Sequence, residues 1–156
     1  MTMNTTWGYS EHDKAWKSNQ ELIRGLVDAV SKGGNLLLNI GPKADGSVPE
    51  PSVEGLRAMG AWMKVNGEAI YGTKACSFEK LAWGRCTQKK SRLYLHVFDW
   101  PADGRLLLPL RENVKSARWL ANGQAVKTSR EGDQLVLTVG AQAPDKMASV
   151  LALELR

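Results

Sequence analysis

No apolar run in this chain approaches the roughly 18 residues that a membrane-spanning helix requires, so no contact with a membrane is expected. The opening residues, MTMNTTWGYS, carry neither a basic n-region nor an apolar h-region; no secretory leader is read there, and the chain as written is expected to be cytoplasmic. Cysteine is scarce, with Cys76 and Cys86 alone. Two thiols make neither a disulfide framework nor a zinc site, and both are expected to be buried and free. Histidine is equally scarce: His12 lies in the polar run SEHDK and His96 inside LYLHVF, which is no metal-ligand constellation. No glycine-rich loop opens a helix to cradle a phosphate, because SKGG closes one, and no cofactor is expected. Internal repeats and low-complexity segments are absent.

Charge of one sign is in mild excess, 21 Lys and Arg against 16 Asp and Glu, for a net charge of +5. The charges are scattered. The densest basic stretch, QKKSR (Gln88 to Arg92), reads as a solvated hairpin tip without aromatic residues between the cations, so nucleic acid is not expected as a partner.

What is present changes character near residue 73. In SNQELIRGLVDAVSKGG, Ser18 and Glu21 have capping-box spacing, Leu22, Ile23, Leu26, Val27 and Val30 form one apolar stripe, and Gly33–Gly34 suit a left-handed C-terminal cap. NLLLNI, apolar at successive positions, reads as a buried parallel strand. The loop GPKADGSVPEP leads into a second helix at about Pro51 to Val65, with Leu56, Met59, Trp62 and Met63 as its core stripe and Asn66–Gly67 as its stop. With MNTTWGY as an earlier strand end, the order is strand, helix, strand, helix. Beyond Lys74 seven short strand-like runs follow: KACSFEKLAWG, SRLYLHVFDW, GRLLLPL, VKSARWL, QAVKTS, DQLVLTV and MASVLALEL. Separated by turn residues, they predict an antiparallel sandwich. The fold class expected is therefore α+β, with a helical segment over 1–73 and a β-sandwich over 74–156.

WGY (Trp7 to Tyr9), ELI…LVDAVSKGGNLLLNIGPKADGSVP and GAWMKVNGEAIYGT (Gly60 to Thr73) closely resemble glycoside hydrolase family 29, the α-L-fucosidases. The resemblance is dense over about residues 3–73, and the strand-rich remainder fits the family's C-terminal sandwich in position and pattern. It implies that MNTTWGY and NLLLNI correspond to the seventh and eighth strands of a (β/α)8-like catalytic barrel, so that residues 1–73 are a remnant of its C-terminal part. It also implies retaining hydrolysis of α-L-fucosides by two carboxyl groups about 5–5.5 Å apart, one the nucleophile and the other the acid/base. In the family pattern both precede the first residue of this chain, and neither carries over to any position here.

The resemblance puts Trp7 at the C-terminal, catalytic face of a barrel strand, where an aromatic ring can stack on fucose; core support of the loop is the alternative. Tyr9 and Asn39 are the other candidate substrate contacts, with packing for Tyr9 and capping of the strand-to-loop turn for Asn39 as the structural readings. Four carboxylates could supply a new pair, Glu11 and Asp13 after the first strand and Asp45 and Glu50 after the second; Asp45 in ADG also suits a turn that bonds its own backbone. Trp83, Trp100 and Trp119 belong to the sandwich, as packing or as a carbohydrate platform.

Three functional readings follow. The chain is an α-L-fucosidase segment whose chemistry needs residues from elsewhere, a non-catalytic β-sandwich binding or assembly module, or a minimal fucosidase with a site rebuilt across an oligomer. Fucosylated glycans or small α-L-fucosides are the expected ligands. The helices and NLLLNI carry more apolar surface than they can bury among themselves. They are expected to collapse onto the sandwich or to self-associate as a homo-oligomer.

Overall fold

The computed structural model describes residues 1–78 and 81–156. Two α-helices come first, α1 over Asn19–Ser31 and α2 over Glu50–Asn66, the second followed by a 3₁₀ turn at Gly67–Ala69. Eight strands follow: β1 (Lys74–Ala75), β2 (Gly84–Lys89), β3 (Arg92–Val97), β4 (Arg105–Leu108), β5 (Val114–Trp119), β6 (Lys127–Glu131), β7 (Gln134–Thr138) and β8 (Ser149–Leu155). They pair antiparallel in two sheets, ordered β1-β2-β3-β8-β5 and β4-β7-β6. The class is α+β, as the sequence predicts.

Local signals account for α1. Ser18 caps it: its hydroxyl accepts from the Glu21 amide at 3.2 Å, and Glu21 reaches back to the Ser18 amide at 2.7 Å. At the other end Gly33, at φ +78°, turns the chain, while the amides of Gly33 and Gly34 satisfy the carbonyls of Val30 and Ala29. Helix α2 runs from Glu50 to Asn66 but is rotated relative to the predicted stripe. Ser52, Gly55, Trp62 and Asn66 are buried, whereas Leu56 is 43% exposed. Gly55 sets that rotation: a Cβ there would lie 2.5 Å from Met3 and 2.9 Å from Leu22, so this face approaches its neighbours without a side chain.

The chain stacks three layers. Alternate residues of β3 and β8 point to opposite faces. Leu93, Leu95, Val97, Leu151 and Leu153 meet Leu106, Leu108, Leu135 and Leu137 of the smaller sheet to form the sandwich core. Tyr94, Val150 and Ala152 face the other way, onto Ile23, Val27, Trp62, Ala69 and Ile70. The five-stranded sheet is thus covered on both faces, and the helices have collapsed onto the sandwich. Polar ties fix the seam. The Trp62 indole donates to the Ala148 carbonyl at 2.9 Å, Arg24 donates through Nε to Met147 at 3.0 Å and lies over the Phe98 ring, and Arg85 pairs with Asp28 at 2.8 Å.

One titratable group lies in that seam. His96 is fully buried, and its Nε2 is 3.0 Å from the Thr87 hydroxyl, which itself donates to the Ala69 carbonyl at 2.7 Å. With its only proton committed, Thr87 must accept from His96; the imidazole therefore carries its proton on Nε2, and its Nδ1 has no protein partner. Burial pushes this histidine down to about 3, so it is neutral at ordinary pH.

Several expectations are corrected. NLLLNI is not a strand: among the described residues one parallel bridge, Thr2 with Asn39, is its whole ladder, and Leu37 is 75% exposed. A strand needs partners on its edges to satisfy its backbone and packed layers on its faces to bury its side chains, and among the described residues the backbone of this segment bonds to Met1 and bridges to Thr2. The strands that do show two-sided burial are β3 and β8. KACSFEKLAWG is not one strand either. Among the described residues Lys74–Ala75 forms the short strand β1, Glu79–Lys80 lie outside the described residues, and β2 begins at Gly84. GRCTQK, which apolar patterning passes over, is a full strand, and QKKSR is indeed the β2–β3 hairpin tip, with Lys90 at φ +54°.

The cysteines are also not free. Cys76 and Cys86 form a disulfide, with Cα atoms 5.7 Å apart. Strand β1, only two residues long, brings Cys76 beside β2, a proximity set by sheet pairing that two isolated cysteines do not reveal. Closing a loop across a sequence separation of 10 stabilises by about 3 kcal/mol on the chain-entropy model. Reduction is therefore expected to lower the unfolding free energy measured in urea by that amount, seen as a lower midpoint. An unchanged midpoint with both thiols titrated as free would show that the bridge contributes nothing.

Candidate functional site

The three candidate substrate contacts converge on two chain segments held side by side. The Met1 amino group donates to the Leu37 carbonyl at 2.8 Å, and the Asn39 amide donates to the Met1 carbonyl at 2.9 Å. From that point the Asn39 side chain crosses back, its Nδ2 donating to the Trp7 carbonyl at 2.5 Å. Asn39 therefore positions the WGY turn through its backbone. Two residues on, Gly41 lies so close to this turn that a Cβ would come within 2.6 Å of the Tyr9 nitrogen and 2.7 Å of the Gly8 carbonyl carbon. Only glycine lets the two backbones approach so closely. The result is a braced loop that presents Trp7, 62% exposed, and Tyr9, 40% exposed, to solvent.

Asp13 holds the loop from its other side. Its carboxylate accepts from the Thr5 amide at 3.0 Å, the Thr5 hydroxyl at 2.5 Å, the Thr6 hydroxyl at 3.3 Å and the Ala15 amide at 3.0 Å. The Thr5 hydroxyl, then the Ala15 amide, hold this carboxyl at about 2, well below the usual carboxylate range. Asp45 makes the turn its sequence suggests, accepting from the Ser47 hydroxyl at 2.7 Å and amide at 2.9 Å, and these bonds lower its pKa too. Glu50 opens α2 and faces Arg57 at 3.6 Å, and Glu11 is exposed in the loop. A general acid must hold its proton near neutral pH, which requires a raised pKa. Asp13 and Asp45 are shifted the other way, with their oxygens committed to backbone turns.

The remaining candidates lie elsewhere. His12 is exposed in its loop, whereas His96 is in the seam between sheet and helices. Trp119 is buried and stacks on Trp100 with ring centroids 5.5 Å apart; Trp100 and Trp83 are half-buried against the sandwich core and donate to the Gly140 and Leu107 carbonyls. Their indoles serve packing, not an open platform. Sequence reasoning misses the Thr5–Thr6–Asp13 brace and the close approach at Gly41. A carboxylate bonding eight residues back has no sequence signature, although glycine before proline in NIGPK marks a tight passage.

Comparison with known proteins bears on this geometry. The family model for α-L-fucosidase matches residues 1–68. Over 129 residues the chain is 39% identical to the plasma α-L-fucosidase of Pongo abelii, an alignment that covers 76% of this chain and 28% of that protein. Among solved structures, α-L-fucosidase isoenzyme 1 of Paenibacillus thiaminolyticus superposes with a TM-score of 0.94 at 41% identity, covering 100% of this chain and 39% of that one. A family 29 α-L-fucosidase of Bacteroides thetaiotaomicron, trapped as a covalent intermediate with 2-fluoro-fucosyl fluoride, superposes at 0.91 with 30% identity, covering 100% and 37% respectively. The chain spans between 22% and 31% of the length of the curated relatives it matches, and it corresponds to their C-terminal part.

Proposed function

Because this chain belongs to the α-L-fucosidase family of glycoside hydrolases, as a C-terminal portion of it, we propose that it contributes the rim of a fucose site whose nucleophile and acid/base come from polypeptide outside residues 1–156. Trp7 and Tyr9 offer rings to the apolar side of the sugar, and Asn39 holds the loop that carries them. The observation that carries this reading is the commitment of Asp13 and Asp45. Asp13 accepts from Thr5, Thr6 and Ala15, Asp45 accepts from the Ser47 amide and hydroxyl, and each has a lowered pKa, which suits a brace and not a proton donor.

Two parts of the proposal concern organisation. Residues 1–73 act as the barrel-derived segment that carries the sugar contacts, and residues 74–156 as the sandwich that supports it. Trp7, Leu37 and Leu56 remain exposed after the helices have docked, and this apolar surface favours self-association through faces the chain cannot cover alone. Light scattering is expected to give a homo-oligomer whose mass falls on dilution; a monomer at every concentration would remove this part of the proposal.

Hydrolysis of 4-nitrophenyl α-L-fucoside tests the central claim. The purified chain is expected to show no turnover above background, as are Glu11→Gln, Asp13→Asn, Asp45→Asn and Glu50→Gln. Turnover abolished by one of these substitutions, in a variant that still folds, would assign the chemistry to this chain and overturn the reading.

A further inference from the structure

Along the β1 edge of the five-stranded sheet, away from the WGY loop, three concavities adjoin through shared walls. The first, about 420 Å³, is apolar and includes Leu36, Ile70 and Tyr71. It shares Gly72 with the second, about 490 Å³, which is lined by Lys74, Gln88, Lys89 and Lys90. Lys89 and Lys90 also wall the third, about 320 Å³, beside Arg92 and Glu68.

Two features distinguish this trough from an ordinary solvated hairpin. The first is charge. Glu68 is the one acidic residue among the described walls, and it is already committed to Arg92 at 3.7 Å and Arg118 at 3.3 Å. Among the described residues no carboxylate pairs with Lys74, Lys89 or Lys90 within 4.0 Å. The Lys89 ammonium is instead fixed at the trough by donating to the Tyr71 carbonyl at 2.9 Å, with two further protons to give. The second feature is the aromatic ring that the local sequence lacks. Tyr71 is 68% exposed, and its ring edge packs over Gly67, 3.3 Å from where a Cβ would stand. The fold brings the Tyr71 backbone, eighteen residues away in sequence, to the Lys89 ammonium, and the ring lines the adjoining concavity.

We propose that this trough is a second saccharide site, selective for chains that carry sulfate groups. Lys74, Lys89 and Lys90 hold the anions, and Tyr71 packs against a sugar ring in the apolar end. Lysine suits such a ligand because its rotatable point charge follows substituents at variable positions, where a guanidinium fork would demand planar geometry. A pyranose presents an apolar face to an aromatic ring and hydroxyls to the polar rim, as the trough does. The choice of a saccharide over another polyanion rests on the fucosidase reading; the cationic trough itself does not.

The test is titration of the chain with a heparin-derived hexasaccharide, with the same hexasaccharide after complete desulfation, and with a charge-matched single-stranded oligonucleotide. Each is repeated on Lys74→Gln/Lys90→Asn and on Tyr71→Ala, with thermal melting as the folding control. Asparagine is used at position 90 because it tolerates the left-handed backbone there. The sulfated chain is expected to bind in a salt-dependent manner, the double variant to weaken it about tenfold and Tyr71→Ala about fivefold. Equal binding of the desulfated chain, tighter binding of the oligonucleotide, or unchanged affinity in the folded variants would each overturn the proposal. Fucoside hydrolysis is a separate readout, so failure of the fucosidase reading leaves these titrations interpretable.

Discussion

Trp62→Ala is expected to destabilise the protein by about 4 kcal/mol, measured as a fall in the urea midpoint at constant slope. Trp62 is 2% exposed at the centre of the seam, in the apolar cluster that contains residues from both helices and from β3 and β8. Truncation removes the large apolar area and opens a cavity that α1, pinned to the sheet by Arg24 and by the Arg85–Asp28 pair, cannot collapse to fill. It also strips the Ala148 carbonyl of its donor. Trp62→Phe separates these effects: it keeps most of the area and leaves the carbonyl unpaired, for an expected cost of about 1–2 kcal/mol. If alanine cost less than about 1 kcal/mol, the helices would not depend on this contact, and their docking would have to rest on the polar ties.

Acid is expected to weaken the fold well above the carboxylate range. The folded pKa of His96 is depressed to about 3 by burial, against an ordinary value of 6.5. Between those values the unfolded chain binds the proton that the folded chain refuses. Stability therefore falls as pH drops through 6.5 and stops responding to this residue below about 3. Between pH 6.5 and 4.5 the loss is about 2 kcal/mol. The window lies above the point at which Asp13 and Asp45, with their lowered pKa values, would surrender their turns. His96→Leu is expected to flatten the stability profile in that window, because Thr87 keeps its bond to the Ala69 carbonyl and no buried proton site remains. An identical slope in the variant would place the acid sensitivity elsewhere.

Elements specified by neighbouring residues are legible in the amino-acid sequence. The capping box at Ser18 and Glu21, the Gly33 turn, the Asp45 turn, the QKKSR hairpin tip and most of the sandwich strands each depend on side chains within a few positions of one another. The family is legible for a different reason, since a long ordered run of residues from Trp7 to Thr73 is more specific than any single motif. The WGY loop is legible as a candidate but not as a mechanism. Nothing in the sequence indicates that Asn39 spans 32 positions to hold the Trp7 carbonyl, or that Asp13 is consumed by Thr5 and Thr6.

Hydrophobicity misleads where it is read without a partner. NLLLNI and RLYLHV have similar apolar content, yet Leu37 faces solvent while all of β3 after Arg92 is buried. The difference lies in pairing: β3 has β2 and β8 on its edges, with Leu106 and Leu108 on one side and helices on the other, and the described chain offers NLLLNI one bridge. The cysteines and the basic hairpin make the same point. The sequence by itself determined the helix ends, the turns, the strand-rich second half and the family. The tertiary structure decided the Cys76–Cys86 bond, the burial of His96, the brace behind Trp7 and the meeting of Tyr71 with Lys89. Caps and turns are fixed by local backbone geometry, whereas bonds and contacts between distant positions exist only once sheet register and helix docking have brought them within reach.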